Sequence, residues 1–413
     1  MTTVPVIAEC DVLIVGAGIV GLAHAAEAQR RGLSVVIVER DSRAVGASVR
    51  NFGHCCITAQ TGELLELAHL ARERWLHFGG RAGFFAVSSG AMAIARSPEE
   101  LAVLDELAAS REPGEVRMVR ASEALDLLDA PGDVGSAAAS ARGGSGSAPA
   151  AVPGGSGAAG GAGPARPWPA PILGGAVLRD DLRVDPREAV AALAGWLAAQ
   201  PGVRLFWRTA FLGGADGMLH TSRGDIRAAR TIVCTGHDLD QLYPELAEHH
   251  GVERCALQMA RIEAPGGRRI APAVLTGTSM LRYPAFAETT TAAALGAAMR
   301  STRPDLIGIG ANVMFTQRPD GTIIAGDSHR YDATIDPFLD EGTTDTLLEA
   351  VAEVLGTHEL RVLERWQGVY ASSAQQHYLV AEAAPGVTAV TITSGVGMTI
   401  SFGVATRTFD ALG

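Results

Sequence analysis

At 413 residues the chain exceeds the size at which one hydrophobic core usually suffices, so the sequence predicts two domains, or one domain with a large inserted lobe. Asp and Glu outnumber Lys and Arg by 45 to 34, and the net charge of −11 argues against a nucleic-acid partner. The 5 cysteines form an odd set without metal-ligand spacing, which fits a reducing compartment and predicts no metal site. No apolar run is long enough for a membrane span and no signal-peptide pattern is visible, so we expect a soluble cytoplasmic protein.

The N-terminal segment has the pattern of one βαβ unit. Residues 11–15 (DVLIV) and 34–39 (SVVIVE) are apolar runs typical of buried strands, and residues 19–31 carry an Ala-rich helical pattern between them. The turn from the first strand into the helix is Gly16-Ala17-Gly18-Ile19-Val20-Gly21, and Glu39 ends the second strand. This combination is typical of a dinucleotide-binding fold; the alternative is an ordinary βα turn.

Each glycine of this turn has a distinct physical role. Gly16 permits the tight turn, Gly18 lets the backbone approach a pyrophosphate, and Gly21 lets the helix pack on the strand. The helix N-terminus attracts the phosphate charge, and Glu39 would accept hydrogen bonds from the adenosine ribose. FAD is favoured over NAD because the motif is extreme N-terminal and a later strand ends in Cys234-Thr235-Gly236, as is typical of flavin folds.

Further elements follow along the chain. Apolar positions at helical spacing predict helices over 63–78 and 186–199. Apolar runs predict strands over 203–207, 218–221 and 231–234.

Two longer stretches complete this part of the chain. From Gly135 to Pro171 the sequence is Gly, Ala, Ser and Pro with almost no large apolar residue, so we expect a disordered surface insertion; an active-site lid is the alternative. Residues 255–364 alternate short strand patterns with turns such as Asp320-Gly321, which predicts a substrate-side antiparallel sheet.

The C-terminal region predicts a third glycine-containing turn. Residues 393–399 (TSGVGMT) join a strand to a helix, so backbone N–H groups and the helix dipole point outward. In a flavoprotein such a turn can stabilise the negative charge that collects at the pyrimidine end of the reduced flavin ring. The alternative is a plain strand-to-helix turn.

Several motifs together carry a family resemblance. They are the N-terminal turn, Ser48-Val49-Arg50-Asn51-Phe52-Gly53-His54, Leu257-Gln258-Met259, Leu281-Arg282-Tyr283, Gly326-Asp327-Ser328-His329, Arg365-Trp366-Gln367-Gly368-Val369-Tyr370 and the Gly395–Thr399 loop. The chain resembles the D-amino-acid-oxidase superfamily of glycine- and sarcosine-oxidase-like proteins, and within it the phosphonate-catabolism-associated branch. The resemblance spans nearly the whole chain outside the 135–170 insertion.

This resemblance implies a mixed α/β fold with a glutathione-reductase-like, Rossmann-type FAD-binding domain and a substrate domain built on an antiparallel sheet, both discontinuous in sequence. The implied division is FAD-binding residues 1–80, 172–250 and 365–413, substrate-domain residues 81–134 and 251–364, and an insertion over 135–171.

The implied activity is FAD-dependent oxidative deamination of a small amine, in which positioning over the flavin carries most of the rate. The branch points to an aminophosphonate related to 2-aminoethylphosphonate, hydroxylated or N-methylated, that gives an imine and then an aldehyde plus ammonia or methylamine. The alternatives are a D-amino-acid or N-methylamino-acid oxidase and a flavin-binding protein without turnover. Dioxygen or another acceptor would reoxidise the flavin.

Two sets of candidate site residues follow. The expected FAD contacts are Gly16, Gly18, Ile19, Val20, Gly21, Glu39, Arg40, Ser48, Asn51, Phe52, Gly53, Thr235, Gly236, Gly395, Gly397, Met398 and Thr399. The candidates for substrate binding and chemistry are Arg50, His54, Arg282, Tyr283, His329 and Tyr370.

The substrate anion needs an anchor that the amino-acid oxidases do not share. Their carboxylate-binding basic residue near the Arg365–Tyr370 segment has no obvious equivalent here. We expect Arg50, with His54 and Arg282, to hold a phosphonate, because a guanidinium can donate two hydrogen bonds to neighbouring oxygens.

The alternative for each arginine, including Arg330 and Arg365, is a structural ion pair. For His54 the alternatives are a structural role or covalent attachment of the flavin, and we expect noncovalent FAD.

Overall fold

The computed structural model describes residues 5–128 and 172–412. The expected insertion over 135–171 and the stretch 129–134 lie outside the described residues. The described chain forms two large β-sheets, with eight and nine strands, and a small three-stranded sheet. This arrangement confirms the mixed α/β fold class.

The described residues form twenty strands, β1 to β20 in chain order. They are β1 Val6–Val15, β2 Val35–Val38, β3 His54–Cys55, β4 Ala86–Val87, β5 Ala91–Ala95, β6 Val116–Arg120, β7 Gly174–Leu178, β8 Leu182–Val184, β9 Val203–Phe206, β10 Phe211–Ala215, β11 Met218–Thr221, β12 Gly224–Val233, β13 Glu253–Ile262, β14 Ala273–Leu275, β15 Met314–Gln317, β16 Ile323–Gly326, β17 Arg330–Asp332, β18 Val362–Ser372, β19 Tyr378–Ala384 and β20 Val387–Ile392.

The α-helices of the described chain are numbered in the same way. They are α1 Ile19–Arg30, α2 Gly62–Ala82, α3 Pro98–Ala109, α4 Ala121–Leu128, α5 Pro186–Ala198, α6 Leu239–Leu242, α7 Pro244–His249, α8 Gly277–Met280, α9 Pro284–Ala287, α10 Ala292–Thr302, α11 Pro304–Gly308, α12 Glu341–Leu355 and α13 Gly397–Leu412. The strands predicted around 11–15, 34–39, 203–207, 218–221 and 231–234 and the helices predicted over 63–78 and 186–199 are confirmed, with shifted ends.

The eight-stranded sheet contains the N-terminal βαβ unit. Its parallel core has the order β20-β12-β1-β2-β9, and Val15 pairs with Val38 on one side and Val233 on the other. The carboxyl ends of β1, β2 and β12 therefore meet at one edge. Because strand order reverses at β1, this edge is the topological switch point at which ligands bind in open α/β sheets.

Helices α1, α2, α5 and α13 contribute to one apolar core with this sheet. At its centre the fully buried Trp75 packs edge-on against Phe84 and Phe402, and its indole N–H donates a 2.6 Å hydrogen bond to the Met398 carbonyl. The indole thus holds the start of α13 against α2 and fixes the position of the C-terminal turn.

The nine-stranded sheet has the order β17-β13-β16-β15-β14-β5-β7-β6, and β18 also pairs with β13. All its pairings are antiparallel except that between β5 and β14. The turn predicted at Asp320-Gly321 joins β15 to β16, and Gly321 has a φ of 86°.

Two segments that the prediction places in the FAD-binding domain form strands of this sheet. The prediction placed Gly174–Leu178 and residues 365–372 in the FAD-binding domain. Strand β7 instead pairs with β5 and β6, and β18 pairs with β13 along almost its whole length, so both belong to the substrate-side sheet.

Candidate active site

A cavity of about 580 Å³ lies at the carboxyl edge of the parallel strands and extends to the substrate-side sheet. This volume lies within the roughly 300–1,000 Å³ typical of small-molecule sites. Of the expected FAD contacts, those that line the cavity are Gly16, Gly18, Ile19, Val20, Glu39, Arg40, Ser48, Asn51, Phe52, Thr235, Gly236, Gly395, Gly397 and Met398.

Three expected FAD contacts lie behind the cavity wall instead. An added Cβ on Gly21 would lie 1.9 Å from the Gly16 carbonyl oxygen, so Gly21 serves the packing of α1 on β1. Gly53 has a φ of 71°, and an added Cβ there would lie 1.9 Å from the Val184 carbonyl oxygen. The Thr399 hydroxyl is buried and accepts a hydrogen bond from the Cys56 N–H. These residues shape the site without lining it.

The glycine turn after β1 is held by side chains as well as by its own backbone. The Glu39 carboxylate accepts a 2.8 Å hydrogen bond from the Ala17 N–H, and the Ser48 hydroxyl accepts a 2.9 Å bond from the Ile19 N–H. An added Cβ would lie 2.6 Å from a carbonyl oxygen at Gly16 and 3.1 Å from the Ser48 oxygen at Gly18. The turn therefore presents bare backbone to the cavity at the N-terminus of α1, as the pyrophosphate of FAD requires.

The other end of the cavity is dominated by Arg282. Its Nη2 donates a 2.8 Å hydrogen bond to the Tyr370 hydroxyl, and Nη1 and Nη2 both lie 3.3 Å from the Tyr331 hydroxyl. Within the described chain the guanidinium forms no ion pair with a carboxylate. A partly buried cation whose partners are neutral hydroxyls can still bind an anion from the cavity.

The C-terminal turn lies against Tyr370, which accepts a hydrogen bond from Arg282. Gly395 has a φ of 75°, and an added Cβ there would lie 3.1 Å from the Tyr370 ring. Burial raises the pKa of Tyr370 well above its ordinary value, so its hydroxyl stays protonated. The Gly395 turn, which we expect to contact the flavin, and Arg282, which we expect to bind the substrate, therefore both contact Tyr370.

Arg50 lines the same cavity, and part of its guanidinium is already hydrogen-bonded to the backbone. Its Nη1 donates a 3.1 Å hydrogen bond to the Gln367 carbonyl, and its own carbonyl accepts a 3.1 Å bond from the Trp366 indole. Its guanidinium retains further donors for a ligand. Arg50 and Arg282 thus approach one cavity from different segments of the chain.

Tyr283 and His329 complete the predicted substrate residues on the cavity wall. The Tyr283 hydroxyl lies 3.5 Å from the Met314 sulfur, and burial raises its pKa. His329 Nδ1 donates a 2.9 Å hydrogen bond to the Gly310 carbonyl. Burial, with the charge of Arg282, lowers the pKa of His329 well below its ordinary value, so the ring is neutral and Nε2 carries a lone pair.

His54 is not where the sequence led us to expect it. Its side chain is 2% exposed, pairs through Nε2 with Asp181 at 2.8 Å, and does not line the cavity. Strand β3 pairs with β8, which turns the histidine toward Asp181. The proposed roles of His54 in anion binding and in flavin attachment therefore have no geometric support, and the structural alternative describes its position.

The other arginines considered from the sequence lie outside the cavity. Arg365 forms an ion pair with Glu341 at 3.1 Å, which matches the structural alternative. Arg330 is exposed on β17.

Among the polar residues of the cavity wall that were not predicted as site residues are Asn312 and Asp327, which lie with Arg282 at the substrate end. Asp327 stands within the Gly326–His329 motif, directly after β16, and an acid at the end of a strand was a signal that could have identified it. Asn312 has no comparable signal, because it lies in an unpatterned loop before β15.

A second cavity, of about 440 Å³, adjoins the first. The two share Arg282, Tyr283, Tyr370 and Ser394 in their walls. Arg282 and Tyr370 therefore lie between the two cavities.

The switch-point edge, the bare glycine turn and the cavity beneath it define a dinucleotide-binding protein. Residues 11–163 and 158–411 match the profile of the family described as FAD dependent oxidoreductase, so the chain belongs to that family. The protein is an oxidoreductase with FAD as its cofactor.

Solved structures share this fold at low sequence identity. L-proline dehydrogenase from P. horikoshii is 15% identical with a TM-score of 0.73, over 98% of this chain and 93% of that one. Glycine oxidase from Bacillus cereus is 16% identical with a TM-score of 0.70, over 98% and 94%. Iminodiacetate oxidase from Chelativorans sp. BNC1 is 17% identical with a TM-score of 0.67, over 97% and 95%.

Comparison with curated protein sequences gives no significant match. Among the helices that the structure describes, none combines the length and hydrophobicity needed to cross a lipid bilayer.

Proposed function

We propose that this protein oxidises a small amine that carries an acid group, and that the acid group is a phosphonate. The observation that carries the proposal is Arg282, which faces the cavity without a carboxylate partner in the described chain and is held by the Tyr370 hydroxyl beside Gly395. An unpaired guanidinium at that position favours an anionic ligand next to the flavin-side turn. The named activities of the structural neighbours, on glycine, proline and iminodiacetate, agree with an amine that bears an acid group.

A phosphonate is favoured by the number of donors around the cavity. It has three acceptor oxygens and up to two negative charges, so more than one cationic or hydroxyl donor is needed to bind it. Arg282, Arg50 and the phenol of Tyr370 supply such donors in the lining of one cavity. The substrate we propose is therefore related to 2-aminoethylphosphonate, with a hydroxyl or N-methyl group as permitted variations.

The glycine turn and the Gly395 turn would hold FAD, which would supply a two-electron acceptor for the hydride of the substrate C–H bond. The protein binds the anion through Arg282, orients the amine relative to that anchor and excludes water with the apolar wall around Leu257 and Phe52. The imine product adds water and breaks down to an aldehyde and ammonia, or methylamine from an N-methyl substrate.

The proposal is tested by anaerobic bleaching of the flavin with a panel of amines. The panel contains 2-aminoethylphosphonate and its hydroxylated and N-methylated forms, glycine, sarcosine, D-alanine and ethylamine. We expect the aminophosphonates to reduce the flavin with the highest ratio of rate to dissociation constant and ethylamine to be the poorest. If glycine, sarcosine or a D-amino acid is the best donor, the phosphonate assignment is wrong; if no amine bleaches the flavin, the amine assignment is wrong.

The same preparation tests how the flavin is held. His54 does not line the cavity, and we propose noncovalent FAD. Acid precipitation should release the yellow colour into the supernatant. Flavin that remains with the precipitate would contradict this.

A further inference from the structure

We propose that Asp327 binds the substrate's ammonium group and takes its proton, so that the amine is neutral when its C–H bond is oxidised. The proposal rests on the proposed function, because it assigns the amine end of the same acid-bearing substrate. Asp327 becomes the partner of Arg282 in recognising a molecule that is negative at one end and positive at the other.

The first observation is an unpartnered oxygen. The Asp327 side chain is 5% exposed and lines the cavity, yet its Oδ1 has no hydrogen-bond partner among the described residues. A buried polar atom without a partner costs free energy unless a ligand or water satisfies it. A carboxylate oxygen that faces a ligand cavity is suited to an N–H donor.

The second observation is that the carboxyl group is rigidly placed. The backbones of Asp327 and Asn312 exchange two hydrogen bonds, of 2.7 and 2.9 Å, and the Asn312 side chain accepts a 2.7 Å bond from Ser279. The loop therefore presents Asp327 in a fixed position rather than letting it swing into solvent. Such placement is what a proton acceptor at a reacting nitrogen needs.

The third observation concerns the charges around it. The groups that face Asp327 are the Arg282 guanidinium, the Tyr283 phenol, the Cys255 thiol and the His329 ring, whose Nε2 lies 3.8 Å from Oδ2, together with the Asn312 amide. Of these, only Arg282 is charged near neutral pH, and it is available to the acid group of the substrate. Within the described residues Asp327 forms no ion pair with a lysine or an arginine, and the His329 ring that lies 3.8 Å from it is neutral.

Burial raises the pKa of Asp327 to about 7, and the Arg282 charge limits the rise. The free carboxyl is therefore ionised above pH 7 and protonated below it. The neighbouring groups do not titrate near pH 7. Burial and the charge of Arg282 lower the pKa of His329 well below its ordinary value, and burial raises the pKa of Cys255 to about 11.

The proposed step balances. The substrate arrives as an ammonium ion, one N–H bond breaks, and its proton forms an O–H bond on the Asp327 carboxylate while the nitrogen keeps the electron pair. The neutral amine could then release a hydride from carbon to the two-electron acceptor that FAD would supply, because the nitrogen lone pair forms the C=N bond. The proton on Asp327 leaves to solvent before the next turnover.

The test uses the FAD-bound protein and the best amine of the bleaching panel in anaerobic stopped-flow measurements. In the wild type, the ratio of reduction rate to dissociation constant should fall about tenfold per pH unit below pH 7. Asp327→Asn, which keeps the side-chain shape, should lower this ratio at pH 7.5 by about 10²- to 10⁴-fold, the usual contribution of a positioned base, and should abolish that limb of the profile.

Two controls separate binding of the anion from binding of the amine. Ethylphosphonate, or propionate if a carboxylate amine proves best, carries the anion without the amine, and Asp327→Asn should bind it within about threefold of wild type by perturbation of the flavin spectrum. Ser328→Ala changes the next buried residue, whose hydroxyl accepts a bond from the Gln258 N–H away from the cavity, and should behave as wild type.

The results that would overturn the proposal are distinct. A wild-type profile without a limb near pH 7, which needs no variant, contradicts it. An Asp327→Asn protein whose flavin is reduced by the amine at the wild-type rate also contradicts it. So does a variant whose affinity for ethylphosphonate falls as much as its affinity for the amine. If wild type is bleached by no amine at all, the proposed function fails and this inference fails with it.

Discussion

At the Glu39 end the cavity wall includes the bare backbone of one short segment, whereas at the Arg282 end its polar groups are side chains of several distant segments. The glycine turn spans six consecutive residues, Gly16–Gly21, and its geometry follows from the absence of side chains. Arg282, Asp327 and Tyr370 stand after α8, after β16 and within β18. The first end is therefore sensitive to added volume, and the second to a change of charge.

The largest effect should come from adding volume at the backbone end. In Gly18→Leu the added side chain starts 3.1 Å from the Ser48 hydroxyl and occupies the space of the pyrophosphate. We expect the protein to be purified without FAD, with affinity at least about 100-fold lower, the upper range of an overpacking penalty. Flavin absorbance per protein measures this, and full stoichiometry in the variant would remove the cofactor assignment of this turn.

At the side-chain end, Arg282→Met should leave FAD in place and weaken acid-bearing amines. Loss of hydrogen bonds to a charged group corresponds to about 10- to 150-fold in dissociation constant. Ethylamine, which has no acid group, should be unaffected. Arg365→Met is the matched control, because that arginine pairs with Glu341 outside the cavity. Equal losses for ethylamine and for the acid-bearing amines would show that Arg282 is not the anion anchor.

Arg50 should give a smaller effect, since one of its donors already binds the Gln367 carbonyl. We expect Arg50→Ala to raise the Michaelis constant for the aminophosphonate by about tenfold or less and to change the saturating reduction rate little, as for a uniform binding loss. Arg50→Lys should hurt phosphonate substrates by removing the planar fork. If either variant instead shifts the flavin spectrum or weakens FAD with substrate preference unchanged, Arg50 belongs to the cofactor end.

The smallest effect is a gain, and it serves as the control for Gly18. Gly195 is exposed in the interior of α5, and an added Cβ would have no heavy atom within 4 Å. Gly195→Ala should retain FAD fully and raise the free energy of unfolding by about 0.5–1 kcal/mol, because it restricts the unfolded chain. Chemical denaturation measures the change. A loss of stability would contradict the local geometry at this position.

The same contrast explains what the sequence could predict. The strands, the first helix and Glu39 follow from periodicity and glycine spacing, which are local signals. Arg282 and Tyr370 were found through family motifs, but their mutual hydrogen bond depends on tertiary packing. The burial of His54 against Asp181 could not be seen, because it depends on the pairing of β3 with β8, more than a hundred residues apart in sequence.

The sheet to which β7 and β18 belong depends on tertiary pairing in the same way. The sequences of β7 (GGAVL) and β18 (VLERWQGVYAS) do not indicate which sheet each strand joins, and only their hydrogen-bonded partners decide this. The position of Asp327 after β16 is only a weak sequence signal, because acids after strands are common, and its significance comes from an unpartnered oxygen that no sequence pattern reports.

The path of the described chain between its two large sheets has a consequence for engineering. The chain runs from the flavin-side sheet to the substrate-side sheet and back twice, so each sheet is assembled from separate stretches. The substrate-side sheet of a relative could not be grafted on through one junction, because four splice points would be needed. A cut at any one of them would separate strands that are hydrogen-bonded in the same sheet. Altered specificity in this scaffold is therefore reached by exchanging side chains around Arg282 and Asp327 rather than by exchanging modules.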